Sequence, residues 1–267
     1  MELQRLYSYT RKAIDDYNMI SDGDHIALGI SGGKDSLTLL YALAGLRRFY
    51  PHPFTISAFT VDLGFEGFKD KLEGISTLCE RFSVPYTIIS TPIAEIIFSE
   101  RKEKNPCSLC ATLRKGAMND FALQQNCNKV AFAHHKDDMI DTLLMSLIYE
   151  GRIHTFAPNT YLDRTELTVI RPLMYVPEVD IIGFQHKYEL PVVKNPCPMD
   201  GFSKREYVNN LTKQLERENP GVKQRIFHAI CQSCFDEKGF NEKYVIPGTE
   251  GVILAGPVPV SWNVNLS

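Results

Sequence analysis

Apolar residues recur along the chain at two spacings, and the alternation between them outlines the fold. Residues 2–20 put Leu3, Leu6, Tyr7, Ala13, Ile14 and Tyr17 on one helical face, which predicts an amphipathic N-terminal helix closed by the turn Ser21-Asp22-Gly23-Asp24. The continuous apolar run 26–30 then reads as a buried strand. Helices are predicted over residues 37–49, 69–82, 113–125, 139–149 and 179–188, and strands over 54–61, 86–89, 129–133 and 161–170. In the helix over 139–149, Leu143, Leu144, Leu147 and Ile148 are the expected core residues. Two further helices, 203–218 and 221–234, are split by Asn219-Pro220-Gly221, and the Pro-, Gly- and Val-rich tail from 247 reads as extended. Strands alternating with helices predict an α/β fold: a doubly wound, mostly parallel sheet with an N-terminal helix and a C-terminal helical extension. The expected divisions are residues 1–23, 24–200 and 201–267.

Between the first strand and the first helix of the sheet stands Ser31-Gly32-Gly33-Lys34-Asp35-Ser36. Adjacent glycines tolerate positive φ and remove the Cβ atoms that would hold an anion away from the backbone. The helix N-terminus behind them offers amide donors and a positive dipole end to a phosphate. Lys34 adds a charge, Ser31 and Ser36 add hydroxyls, and Asp35 can cap the helix or hold a Mg2+ ion. The spacing is neither that of Walker A nor Gly-x-Gly-x-x-Gly. Asp62 closes the second strand, at the carboxyl edge where α/β sheets bind ligands, and it can equally close a turn.

Composition narrows the chemistry. No run of about 18 apolar residues exists to span a membrane, and residues 1–20 mix charge with apolar positions instead of forming a signal peptide. A cytoplasmic protein is expected. Seven cysteines in such a compartment argue for metal, cluster or redox chemistry before disulfides. Cys107 and Cys110 can present two thiolates to one centre, and Cys197 lies in a second Asn-Pro-Cys turn. Structural zinc takes four protein ligands, whereas three thiolates on a 4Fe-4S cluster leave one iron open. The net charge of -3 gives no overall pull on nucleic acid. RNA contacts would come from local pairs such as Arg11-Lys12, Arg47-Arg48, Arg101-Lys102 with Lys104, Arg114-Lys115 and Lys204-Arg205, each equally readable as solvated surface.

The hexapeptide 31–36 resembles the PP-loop of ATP pyrophosphatases, in which ATP is cut between its α and β phosphates. Pro106-Cys107-Ser108-Leu109-Cys110 with Arg114-Lys115-Gly116, His134-His135-Lys136-Asp137-Asp138-Met139 with Asp141-Thr142, and Ile170-Arg171-Pro172-Leu173 follow it. In that order, the motifs resemble TtcA-type tRNA 2-thiocytidine synthetases over about residues 1–206. The resemblance implies a PP-loop fold of the adenine nucleotide alpha hydrolase type, ATP with Mg2+, and a 4Fe-4S cluster on Cys107, Cys110 and Cys197. It also implies thiolation of a tRNA cytidine, typically position 32, by adenylation of the carbonyl and replacement of its oxygen. On the same basis Ser31, Gly32, Gly33, Lys34, Asp35 and Ser36 hold ATP, with Asp62 and His134 alongside, and Lys34, Arg114 and Asp137 take catalytic roles. A sulfur donor such as a cysteine desulfurase and a homodimer are implied as partners.

Other readings stand beside these. Cys107 and Cys110 fit a structural zinc clip completed by Cys197 and a histidine. Asp137 and Asp138 fit a helix N-terminus, and His134 and His135 fit strand-end packing. Cys231 and Cys234 fall outside the resemblance and read as two thiols on one helical face, while Cys79 and Cys127 read as plain structural cysteines. As a whole the chain also fits a lysidine synthetase-like PP-loop ligase, or an ATP-binding cluster-bearing sensor.

Overall fold

The computed structural model describes residues 1–101, 106–194, 196–198, 204–235, 243–245 and 253–255. The chain divides into two units, Met1–Lys136 with Pro158–Ser203, and Asp137–Ala157 with Lys204–Ser267.

In the first unit, α1 (Leu3–Asp16) leads into β1 (Asp24–Gly29), α2 (Lys34–Leu46), β2 (Phe54–Asp62), α3 (Glu73–Arg81) and β3 (Tyr86–Ser90). A short α4 (Ile93–Glu95), a π-helical turn (Ile96–Glu100) and α5 (Pro106–Gln124) follow, then β4 (Lys129–Ala131). After α6 (Lys136–Glu150), whose body belongs to the second unit, the chain returns as β5 (Asn159–Leu162), β6 (Leu167–Ile170) and α7 (Glu178–Lys187). The sheet has six strands in the order β3-β2-β1-β4-β6-β5, and only the β5–β6 pair is antiparallel.

The central position of β1 follows from its residues. Ile26, Ala27 and Leu28 have no exposed surface, and a strand apolar on both faces is stable only where helices cover both. Leu28 pairs with Ala58 on one side and Ala131 on the other. α2 is likewise enclosed, with every residue from Ser36 to Leu46 buried. Below the sheet Phe59 meets Phe121 of α5, ring centroids 4.6 Å apart, in a cluster with Ala27, Val130 and Leu167. Because β1 leaves toward β2 and its other neighbour is β4, the strand order reverses at its carboxyl end, where doubly wound sheets open a ligand crevice.

A buried carboxylate ties the start of this arrangement. Asp24, 5% exposed, accepts the Lys129 ammonium at 2.8 Å, the Asn128 amide at 2.7 Å and the Ser21 N–H at 2.6 Å. It thereby joins the entry of β1 to that of β4.

In the second unit, α6, α8 (Lys204–Glu218) and α9 (Val222–Ser233) are tied by side chains. Asp141 of α6, 3% exposed, accepts from Asn209 Nδ2 at 2.9 Å and Thr212 Oγ1 at 3.0 Å. Burial pushes its carboxyl above the usual range, against the pull of those two donors. Two short strands, β7 (Lys243–Val245) and β8 (Ile253–Ala255), pair antiparallel. No helix among the described residues is long and apolar enough to cross a membrane.

Three expectations are corrected. The stretch read as a single strand over 161–170 is a hairpin, reversed at 163–166 where Glu166 adopts φ +54°. α5 begins at Pro106 and not at 113, since Pro at the first helical position costs nothing there. Leu147 and Ile148 are 43% and 48% exposed instead of core. The chain turns back at Gly151, so Ser146 is buried in their place and accepts the His154 N–H at 3.1 Å.

Replacing Asp24 with Ala strands the Lys129 ammonium among buried groups. Chemical denaturation is expected to show a loss of about 3–5 kcal/mol.

Candidate active site: a phosphate loop and a three-cysteine cavity

The loop at the end of β1 is held by its own serines. Ser36 Oγ donates to the Gly33 carbonyl at 2.9 Å and accepts the Ser31 N–H at 3.2 Å, while Ser31 Oγ accepts the Gly33 N–H at 3.3 Å. Gly32 sits at φ +84°, and a Cβ there would come within 3.2 Å of Val193. The backbone angle favours glycine, and the approach of Val193 leaves a Cβ only tight room. α2 starts at Lys34 with no side-chain cap on its first turn.

Lys34 Nζ lies 3.0 Å from Asp35 Oδ1 and 3.2 Å from Glu178 Oε1, at the start of α7. Burial alone would lower its pKa, but the two carboxylates outweigh burial and hold it above the ordinary value. Lys34 is therefore cationic at neutral pH and aimed across the loop. His135, buried, stands 3.6 Å from Asp35.

The cysteines occupy the first turns of α5. Cys107, Cys110 and Arg114 fall at helical spacing on one face, and they line a cavity of about 230 Å³ with Cys197. Leu63, Phe65, Ile93, Ile97 and Phe98 form its apolar wall. Burial raises the Cys110 thiol, the hydrogen-bonded Arg114 guanidinium lowers it, and Cys197 and Cys107 push it up again. Those mutual effects place all three sulfurs and the guanidinium in one electrostatic neighbourhood. Among the described residues no trio of ligating side chains is already gathered at metal-binding distance. The thiols thus face a shared space without meeting at a point.

This cavity is tethered to the loop. Val193 donates its N–H to the Gly32 carbonyl at 2.9 Å, and the four residues from there to Cys197 span at most about 14 Å. Leu63 follows directly on Asp62, so the carboxyl end of β2 forms part of the cavity wall.

The remaining sequence candidates are placed as follows. One Asp62 oxygen accepts the Gly64 N–H at 3.0 Å, which makes it a turn-closing group at the strand end. His134 Nδ1 accepts Arg171 Nε at 3.2 Å, which puts any proton of a neutral ring on Nε2. Arg171, almost fully buried, also donates to Thr160, and burial lowers its pKa to about 10. Asp137 belongs to the second unit, where Lys223 Nζ bonds its Oδ1 at 2.6 Å, and Asp138 lies 3.7 Å from Arg205. The segment 102–105, with Lys102 and Lys104, lies outside the described residues.

A family model described as a PP-loop domain matches residues 5–215. The tRNA-cytidine(32) 2-sulfurtransferase of Geobacter metallireducens is 39% identical over 222 residues, 82% of this chain and 86% of its own. That of Legionella pneumophila is 40% identical over 231 residues, 85% of this chain and 80% of its own. The chain belongs to this PP-loop sulfurtransferase family. Among solved structures it is similar to the U34-tRNA thiolase NcsA from Methanococcus maripaludis with its 4Fe-4S cluster, at 27% identity and TM-score 0.68, over 83% of this chain and 76% of that one.

Within this PP-loop family frame, Glu178 and Val193 are the residues that sequence reasoning missed. Glu178 is one acid in an ordinary helix start after Pro177, and Val193 acts through its backbone, so neither carries a local signal. Exposed Cys107 of metal-free protein is expected to alkylate with iodoacetamide before Cys110. Since Cys110 is raised, its rate should climb with pH beyond the range of an ordinary thiol. Arg114→Ala removes the lowering cation and should slow Cys110 further at neutral pH; peptide mass spectrometry reads both rates.

Proposed function

We propose that the chain is an ATP-dependent tRNA thiolase that replaces the 2-oxygen of a cytidine, at position 32, with sulfur. The observation that carries the reading is the cavity that Cys107, Cys110, Cys197 and Arg114 line together, joined to the Gly32 turn through Val193. Its relatives are named for this reaction and the similar thiolase carries a 4Fe-4S cluster.

The donor set fits such a cluster. Three thiols of soft character face one cavity, an apolar wall shields it, and among its described lining residues no histidine stands to complete a zinc site. Cys107, Cys110 and Cys197 would hold the cluster, which when bound supplies an iron with an open position for exogenous sulfide.

The chain's own groups perform the rest. The loop 31–36 receives the β and γ phosphates, and Lys34 exchanges its carboxylate partners for phosphate oxygens as charge builds on the departing pyrophosphate. Asp35 would hold the Mg2+ ion, which when bound supplies charge neutralisation to the phosphates. The cytidine leaves its stack to reach the site. Its carbonyl oxygen attacks the α-phosphorus, pyrophosphate departs, and the activated carbon then accepts sulfide while the oxygen leaves on AMP. Arg114 stabilises phosphoryl oxygens electrostatically, and Asp137 is the carboxylate that the family resemblance assigns to the reaction. Sulfur arrives from a separate donor such as a cysteine desulfurase, and the enzyme works in the cytoplasm as a homodimer.

Nucleoside analysis of tRNA from cells lacking the gene tests the reading directly. Loss of 2-thiocytidine is expected, and unchanged tRNA overturns it. Complementation with Cys197→Ser should restore no 2-thiocytidine while the purified variant binds ATP as the parent does. A variant that still thiolates removes Cys197 from the site.

A further inference from the structure

The cavity lined by Cys107, Cys110, Cys197 and Arg114 also carries two aromatic rings, Phe65 and Phe98, to which the reaction above gives no part. We propose that Phe65, braced by Phe98, is the platform on which the target cytosine stacks once it has left its own stack, an inference that rests on the thiolase reading above.

Packing accounts for the neighbours of these rings and not for the rings themselves. Phe65 and Phe68 stand on one turn, the Phe68 N–H donating to the Phe65 carbonyl at 3.2 Å. Phe68 is 7% exposed and serves the core, whereas Phe65 is only half-buried. Phe98 is half-buried too, although Ile97 beside it is buried. A single half-exposed ring on a protein surface is ordinary. These two stand together, centroids 6.2 Å apart and planes tilted by 48°, in the wall of the cavity that carries the thiols. Rings this close are already partners, so a base stacks on the pair and not between its members.

The backbone holds the pair in place. At Gly64, φ is +88° and a Cβ would come within 2.9 Å of the Thr91 carbonyl oxygen, so the residue before Phe65 has no room for a side chain. The Asp62 side chain accepts the Gly64 N–H at 3.0 Å, and the Asp62 carbonyl accepts the Thr91 N–H at 2.9 Å. The Leu63 carbonyl accepts the Ala94 N–H at 2.8 Å, which ties the Phe65 loop to α4. α4 runs directly into the π-helical turn that bears Phe98, closed by the Arg101 N–H on the Ile96 carbonyl at 3.0 Å. Such turns are rare and recur at functional sites. Asp62 therefore does more than end a strand: its bonds anchor the loop that presents Phe65.

A base taken out of its stack loses both flat contacts, and enzymes that act on such bases hold them against aromatic or apolar side chains. The cavity, about 230 Å³, is smaller than the roughly 300–1,000 Å³ of pockets that enclose a drug-sized ligand. It thus suits the ring of a nucleotide, with sugar and phosphate left outside. Stacking tolerates any base, so the platform supplies affinity and orientation while the choice of cytidine lies with other groups.

The test measures binding of the cluster-loaded, full-length protein to two forms of one tRNA, the unmodified transcript and the same RNA with an abasic nucleotide at the target position. Thiolation of the transcript with ATP and inorganic sulfide is followed in parallel, and iron content is recorded for every variant. Phe65→Ala is expected to weaken binding of the transcript about tenfold and to bind the abasic RNA as the parent does. Phe65→Tyr, which keeps the ring, is expected to match the parent on both, and Phe98→Ala to show a smaller loss confined to the transcript. A coupling between ring and base of this kind is what a purely structural role would not produce. If Phe65→Ala weakens both RNAs equally, or neither, while the parent thiolates the transcript, the platform is overturned. Loss of iron from Phe65→Ala with unchanged RNA binding also overturns it, since the ring would then only shield the cluster. If the parent thiolates no transcript, the thiolase reading itself fails and the platform falls with it.

Discussion

The first unit depends on a single left-handed residue. Gly32 turns the chain from the central strand into a helix whose first amides point at the crevice, and its carbonyl receives the backbone N–H of Val193. The angle favours glycine, and the closeness of Val193 leaves a Cβ little room. That one hydrogen bond brings a segment 161 residues later in the sequence to the nucleotide loop, and Cys197 rides on the same segment. Phosphate recognition and thiol placement therefore share one anchor.

Around that anchor the electrostatics are arranged in balanced pairs. Lys34 between Asp35 and Glu178 is neutralised without being buried beyond reach, so a polyphosphate can replace carboxylates at little desolvation cost. At the cysteine cavity the balance is between burial, which favours the neutral thiol, and Arg114, which favours the thiolate. A metal centre held there would add to the second effect, since metal binding expels thiol protons.

Much of this was legible in the sequence because the chemistry resides in short, dense motifs. The loop, the paired cysteines and the histidine–aspartate run each declare themselves by residue type and spacing, and the parallel core declares itself by continuous apolar strands. What escaped notice depended on longer-range geometry. The hairpin before Arg171 was hidden because its reversal at 163–166 lacks Gly and Pro and interrupts a run of strand formers. The early start of α5 was hidden because Asn-Pro-Cys reads as a turn, although Pro serves equally well at a helix's first position. The exposed Leu147 and Ile148 obey the helical period that Leu143 sets. Only the backward turn at Gly151 decides which side of α6 is covered.

The pairing of Lys223 with Asp137 has an architectural meaning. The motif that ends in Asp137 looks self-contained in the sequence, yet its carboxylate is complemented by a helix that begins 85 residues later and after the family match has ended. A chain shortened to the end of α8 would keep every signature residue of the PP-loop fold and still remove the Lys223 ammonium from that acid. The C-terminal helices are thus part of the carboxylate's solvation, and the boundary of the motif is not the boundary of the machinery it belongs to.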